Sequence, residues 1–511
     1  MEICKHLVKV LFPFCYNVNK DNQLDELRFK DENEKEKILF QRFALKQTDL
    51  RQGLPEVFAA DDNSSQIVKC YRIDGNNRAH FDLPRRKDEQ LKFYCRAANL
   101  TEAYNVAIPE VNLYLFESGV GLVELECVYQ SSDITDYINC NYFISEIKSK
   151  SNYFVTNFKK RASKDEEYVL TEVRFTVKEL LGKVLTYVAD AKDFYSPKGK
   201  ELFSQKGLVY SYLYLDERPQ DFETLLFNFR NNYKKSYLAP QDLSLKDSAV
   251  RKPFENCYWT ASYNAVVNVC IRTENEETNE FYSNELYSRL NGVYHLLFLA
   301  VLHQRFAIMQ LMGKMGELDK LGEDFETMRT QLAIARQYQA EAANLKFRVF
   351  FKYPSYVEHV NGYYDFLHDI YNIDALYNHF STDLSNLEKI CNVYVERIRT
   401  REEQLKQCKA AKIEIFVGIF GTIVGIVSLM SDSWGLLEKF LGTTIERFSW
   451  PVFVMTALLW MPSILVFIDA KKRFREIKKI KADIAIEELK YPTIEDIKKM
   501  SGENRSKKVK E

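Results

Sequence analysis

The sequence predicts an α/β domain joined to a helical bundle and a long stalk helix, which leads into two C-terminal transmembrane helices. Three observations predict it. Up to about Arg272 the chain carries short runs of β-branched and aromatic residues separated by turn residues. After Phe281 the apolar residues recur at the helical period of about 3.6. Near the end lie two apolar segments, Ile413 to Met430 and Trp450 to Ile468, with no charge in their middle. Each is long enough for a helix to cross a hydrocarbon core of about 30 Å while satisfying its own backbone.

The strand-rich part comes first. Strands are expected at Leu7 to Tyr16, Ile67 to Ile73, Lys92 to Arg96, Val111 to Phe116, Leu122 to Tyr129, Tyr168 to Thr176 and Leu208 to Leu215. VNLYLFESGVGLVELECVY reads as a hairpin, with Ser118, Gly119 and Gly121 supplying its turn. Polar, helix-prone stretches at Asn22 to Lys46 and Gln220 to Asn231 predict helices laid on the sheet.

Helices are expected from about Asn284 to Met315 and from Leu318 to Phe350, punctuated by Gly313, Gly316 and Gly322 and then by Pro354. A third begins near Val357. Read as one helix to Met430 it would be about 110 Å long at 1.5 Å per residue, the length of a stalk entering a membrane. The apolar run Leu296 to Leu302 is too short to span and belongs to the bundle core. The resulting division is 1–280 for the α/β domain, 281–412 for bundle and stalk, 413–468 for a transmembrane hairpin (413–430 and 450–468) and 469–511 for a basic tail.

Charge orients the hairpin. Arg397, Arg399, Arg401, Lys406, Lys409 and Lys412 precede the first span, and Lys471, Lys472, Arg473, Arg475, Lys478, Lys479 and Lys481 follow the second. The loop Ser431 to Ser449 holds only Lys439 and Arg447 against Asp432, Glu438 and Glu446. The positive-inside bias therefore places both termini in the cytoplasm; the inner (plasma) membrane is the expected location. A net charge of −1 offers no global attraction to nucleic acid, and none is expected as a direct partner. The ten cysteines include no C-x-x-C spacing and read as reduced, packed thiols. No glycine-rich phosphate loop, H-E-x-x-H or G-x-S-x-G is present, so the chain is not expected to be an enzyme. His295 and His303 read as packed or capping residues.

In the first span Gly418, Gly421, Gly425, Ser428 and Asp432 recur at steps of three and four, with Thr422 beside them. This small, weakly polar face has two readings: close helix packing, or the lining of a pore where several copies meet. Arg230, Asn231, Asn232, Tyr233, Lys234, Lys235, Tyr237, Trp259 and Tyr263 supply charge, amides and aromatic faces of the kinds a phosphate-bearing adenine ligand needs, and a solvated loop beside a core tryptophan is the alternative. Lys159, Lys160 and Arg161 form a second basic cluster. Tyr364, Asp365, His368 and Asp369 share a helix face that could contact a divalent cation or simply be solvated.

The order of a cytoplasmic α/β domain, a helical layer, a stalk running into the first of two C-terminal spans and a basic cluster resembles the CorA superfamily of divalent-cation channels. The resemblance covers nearly the whole chain at the level of architecture. It implies a homopentameric funnel whose first span lines the pore at Gly418, Gly421, Thr422, Gly425, Ser428 and Asp432. The family's Gly-Met-Asn signature is missing, with Leu429, Met430 and Ser431 in its place, so selectivity for magnesium does not carry over. The large N-terminal domain, LYLFESGVG, Phe229-Arg230-Asn231-Asn232-Tyr233 and Cys257-Tyr258-Trp259-Thr260-Ala261-Ser262 look closer to the CorA-like proteins associated with type III CRISPR systems. That narrower resemblance implies a membrane effector in antiviral defence, opened by a nucleotide second messenger such as an adduct of S-adenosylmethionine and AMP. A constitutive magnesium transporter and a membrane-tethered enzyme or scaffold are the alternatives.

Overall fold

The computed structural model describes residues 2–18, 24, 27–30, 36–44, 67–97, 100–161, 168–195, 205–240, 249–317, 325–441, 461, 464–480 and 482. The chain divides into two compact units, Met1–Glu317 with Tyr338–Asp383, and Leu318–Gln337 with Leu384–Glu511.

The first unit is built on strands β1 (Ile3–Cys15), β2 (Arg28–Lys30), β3 (Glu36–Ile38), β4 (Phe40–Arg42), β5 (Val68–Ile73), β6 (Leu91–Ala97), β7 (Leu100–Ala107), β8 (Val111–Phe116), β9 (Val120–Tyr129), β10 (Tyr153–Arg161), β11 (Tyr168–Phe175), β12 (Lys192–Asp193), β13 (Leu208–Leu215), β14 (Val250–Phe254), β15 (Cys257–Ala261) and β16 (Ala265–Ile271). All but β2 and β3 join one 14-stranded sheet of order β11-β10-β6-β7-β9-β1-β13-β16-β15-β14, from which β12 branches at β1 and β8, β5 and β4 branch at β9. The pairings are antiparallel except that of β13 with β16. The seven predicted strands are all present, within about two residues at most ends and four at the start of β1. Short strands β2, β3 and β4 stand where a helix is expected over Asn22 to Lys46, which corrects that expectation: Phe40 and Gln41 pair with Ile73 and Arg72 of β5, and tertiary pairing outweighs the local preference.

β1 shows why the sheet is covered on both faces. Its alternate residues Val8, Val10, Phe12 and Phe14 enter a core shared with α1 (Ile134–Ser145), α2 (Val177–Leu185) and α3 (Phe222–Asn231). The intervening Leu7, Lys9 and Leu11 are buried as well. On their side lie the short helices α4 (Glu276–Glu280) and α5 (Tyr287–Asn291), the π-helical turn Phe281–Leu286 between them, α6 (Val293–Glu317) and α8 (Glu358–Ile370); α7 spans Phe325–Val349. Tyr210 of β13 stacks on Phe298 of α6 at 5.1 Å, and Trp259 of β15 meets Tyr363 of α8 edge to face at 5.0 Å. The helical stretch Glu276–Gly316 contains an apolar segment long enough to cross a membrane, but 72% of that segment is buried, as the helix of a core should be. Val293 to Leu302 are buried at every position, including the run expected to lie in the bundle. Among the described cysteines all are free thiols, and burial pushes Cys70 and Cys95 up to about 12.

The helix expected from Val357 onward is two helices. α8 ends at Ile370, Asn372 adopts a left-handed φ of 50°, and α9 then runs without a break from Ile373 to Leu441. An asparagine tolerates that conformation better than most residues, and here Asn372 Nδ2 donates to the distant Tyr263 Oη at 2.8 Å. At its other end α9 continues through Ser431 and Gly435, so the helix extends ten residues and more into the expected loop Ser431 to Ser449.

Within the second unit Cys408 and Ile415 of α9 bury against Ala470 and Ile477 of the helical segment 464–480, flanked by Ala411 and Ile419. The spacing 408, 411, 415, 419 is a stripe on one face of α9, and 470 and 477 lie two turns apart. Arg336 of α7 contacts Glu388 at 3.8 Å and Asn392 at 3.3 Å.

Candidate functional site

Two regions carry the residues singled out from the sequence, one in each unit. In the second unit, the α9 stretch Glu402–Ser428 is apolar and long enough to cross a membrane, and only 6% of it is buried. Phe416, Val417, Phe420, Ile423, Val424 and Val427 are exposed. The small face lies on the same helix: Gly418, Gly421 and Gly425 have open space where a side chain would go, Ser428 is exposed, and Thr422 Oγ1 donates a hydrogen bond to the Gly418 carbonyl at 2.7 Å. The backbone of Asp432 is helical; its side chain lies outside the described residues. Most of the second predicted span, Trp450 to Ile468, also lies outside them, and its described residues Ile464, Leu465, Phe467 and Ile468 are exposed on a helix.

In the first unit the predicted ligand residues separate into three environments. Trp259 is 3% exposed and packs among Tyr294, Tyr363 and Phe366, with its indole N–H meeting no acceptor among the described residues; it is part of the sheet–helix core. Tyr263 lies in the β15–β16 turn, where the Arg305 guanidinium sits 4.2 Å over its ring. The rest cluster at the end of α3. Arg230 lies over Phe227 at 5.5 Å and its carbonyl accepts from Ser262, while the Asn231 amide donates to the Phe227 carbonyl at 2.9 Å. Asn232 closes the helix in the left-handed region (φ 51°), buried, with Nδ2 donating to Ser145 Oγ at 2.7 Å. Tyr233 and Tyr237 pack edge to face at 5.2 Å.

That last cluster acquires partners from elsewhere in the chain. The Gly207 N–H donates to the Ser145 carbonyl at 2.8 Å, which brings the approach to β13 against the end of α1. Lys206 Nζ then stands 3.8 Å from the centroid of the Tyr142 ring, and Lys234 Nζ stands 5.1 Å from the same centroid. Tyr237 meets Tyr142 edge to face at 6.4 Å. Burial lowers the Lys206 ammonium, Glu146 and Tyr237 raise it, and the like charge of Lys234 adds to the lowering. Neither Tyr142 nor Lys206 is picked out by the sequence alone.

A family-model comparison finds no match, and no curated protein matches the chain. Among solved structures it is similar to the CorA magnesium transporter from Methanocaldococcus jannaschii, at 12% identity over 53% of this chain and 92% of that one, with a TM-score of 0.14. A likeness at that score carries no argument, and the functional reading rests on the chain's own residues.

The strongest electrostatic feature of the first unit is buried. Glu124 on β9 has no exposure, yet its carboxylate lies 3.5 Å from Lys9 Nζ of β1 and 2.6 Å from His295 Nε2 of α6, and accepts from Asn112 at 3.0 Å and Tyr114 at 3.3 Å. Burial alone would raise the Glu124 carboxyl, but His295, Lys9 and Asn112 outweigh it and hold the group well below the usual carboxylate range. Burial lowers His295, and Glu124 opposes that. Eight residues further along α6, His303 stacks on Phe116 at 4.1 Å and reaches Ser118 Oγ at 2.9 Å, clamping the β8–β9 hairpin; burial pushes it down to about 3. Both histidines are packed residues, as expected. Their arrangement fixes α6 to the sheet.

Of the face expected to suit a divalent cation, Tyr364 bonds Gln304 at 2.8 Å, Asp369 pairs with Arg251 at 2.8 Å, and His368 Nδ1 lies 3.6 Å from Asp374. Among the described residues no group of three or more His, Cys, Asp or Glu side chains is placed to hold a metal ion. The side chains of Lys159, Lys160 and Arg161 lie outside the described residues.

Proposed function

We propose that this chain is an oligomeric, CorA-like membrane effector of the kind associated with type III CRISPR antiviral defence. In this reading the α/β domain binds a nucleotide second messenger in the cytoplasm. The first span lines a pore with Gly418, Gly421, Thr422, Gly425, Ser428 and Asp432 in a pentamer held in the inner membrane, and ligand binding shifts the population from closed to open assemblies. The observation that supports it most is α9, one unbroken helix of 69 residues that leaves the α/β domain and carries an exposed apolar stretch, Glu402–Ser428. A helix with that much uncovered apolar surface needs lipid or other copies around it.

The test is release of a trapped ion indicator from liposomes reconstituted with the full chain. The S-adenosylmethionine–AMP adduct and cyclic oligoadenylates are added in turn, with magnesium alone as the control. Release on adding one nucleotide supports the reading. Magnesium uptake with no nucleotide dependence would instead favour a constitutive transporter, and silence under all conditions would favour a membrane-tethered scaffold.

A further inference from the structure

We propose that Lys206 and Lys234, gathered on the ring of Tyr142, form a binding site for a phosphoryl anion carrying more than one negative charge. The inference rests on the reading of the α/β domain as a ligand sensor and names the part of the ligand that this surface takes.

Three stretches far apart in sequence build the surface: the end of α1, the approach to β13 and the exit of α3. Each is fixed. Asn232 in its left-handed conformation donates to Ser145 Oγ at 2.7 Å, and the Gly207 N–H donates to the Ser145 carbonyl at 2.8 Å. The result brings two ammonium groups onto one aromatic ring, at 3.8 and 5.1 Å from its centroid, with the second also 5.3 Å from the Phe143 ring.

A ring face attracts one cation; it does not neutralise two. Like charges held on one ring repel, and Lys234 adds to the lowering that burial imposes on Lys206. Glu146 is the carboxylate whose charge reaches Lys206, which leaves two lysines against one acid. Ammonium groups are compact point charges with several rotatable donors, suited to phosphoryl oxygens approached from different sides. An anion with two or more charges between them offsets the repulsion that holding them together costs, whereas a single carboxylate does no more than Glu146 does already. Tyr237, 43% exposed and edge-on to Tyr142, borders the site and offers a ring beside it.

The probe is inorganic tripolyphosphate, titrated calorimetrically into the detergent-solubilised full chain. Wild type is expected to give a saturable heat whose affinity falls with added salt. Lys206→Ala with Lys234→Ala is expected to weaken it at least tenfold, and Lys206→Arg with Lys234→Arg to stay within about threefold of wild type, because charge rather than chain identity holds the anion. Thermal unfolding of both double variants checks that the domain remains folded. No saturable heat in wild type, or equal affinity in the alanine variant, overturns the site. Tripolyphosphate binding without nucleotide-triggered release from liposomes would leave this site standing and remove the channel reading. Release triggered by a nucleotide in a chain that ignores tripolyphosphate would do the reverse.

Discussion

Neutralising Glu124 should destabilise the α/β domain more than almost any other isosteric change. In Glu124→Gln the side chain keeps its shape and its contacts with Asn112 and Tyr114, but Lys9, 5% exposed, loses its counter-charge. At the observed 3.5 Å the attraction between unit charges is about 5 kcal/mol at an effective dielectric of about 20. Measured losses on breaking buried pairs are about 3–5 kcal/mol, because the orphaned ion remains desolvated. For a folding unit of roughly 360 residues with an unfolding entropy of about 2.1 cal/mol/K per residue, that loss lowers Tm by about 4–7 °C. Lys9→Met should cost less, since His295 at 2.6 Å can take up a proton and become the counter-ion. The double variant, in which the site is neutral throughout, should recover at least about 2 kcal/mol of the summed losses. Trp259 is the tryptophan of this unit, so in a chain with Trp434, Trp450 and Trp460 replaced by Phe its fluorescence during heating in detergent reports the domain itself. A Glu124→Gln transition within about 1 °C of wild type, or a double variant equal to the sum of the singles, would refute the charged network as described.

Other consequences come from the same contacts. His303 is pushed down to about 3 and His6 to about 4, below the unfolded value near 6.5, so the unfolded chain binds their protons first. Their contribution is complete above about pH 6.5 and is lost as pH falls toward those folded values, at up to about 1.4 kcal/mol per pH unit for each; His303→Gln should flatten the decline of Tm between pH 6.5 and 5, and an unchanged slope would contradict the assignment. Arg78, 2% exposed, donates to the carbonyls of Pro84, Ile108 and Pro109 at 2.7, 2.6 and 2.7 Å, so Arg78→Met should lower stability by about 3 kcal/mol or more, measured by the same unfolding curves. Gly119 has φ +85°, and a Cβ there would stand 3.1 Å from the Tyr16 carbonyl and 3.2 Å from Gln310; Gly119→Ala should cost about 1–3 kcal/mol, and a neutral result would mean the hairpin turn relaxes. Asn372→Gly should be tolerated within about 1 kcal/mol while Asn372→Ala costs more, since the left-handed break between α8 and α9 and the bond to Tyr263 both depend on that position.

How far these features can be read from the sequence depends on how local their causes are. The β8–β9 hairpin is legible because its alternation and its Ser118-Gly119 turn lie within one short window. β7, β10, β15 and β16 are not among the predicted strands; β7 carries polar residues on its exposed face, and β16 is an apolar run broken only by Asn268 that a core helix could equally contain. The break at Asn372 escapes notice because it uses neither Gly nor Pro. Lys9 and Glu124 interrupt apolar strands, which is a signal of a buried charge, but the partner that explains them, His295, lies 286 positions from Lys9. The anion surface is the least legible feature: RNNYKK is visible as a basic, aromatic stretch, yet Tyr142 and Lys206 join it only through the fold. Trp259 belongs to the same sequence neighbourhood as Tyr263, but a strand turns it the other way, into the core.

The most direct test of the account is the mass of the detergent-extracted protein, measured by native mass spectrometry. A pore made from one small-faced helix per chain requires several copies, so the account predicts a discrete assembly of five chains of 60.1 kDa. A particle containing one or two chains would contradict it, leaving α9 as an anchor rather than the wall of a channel.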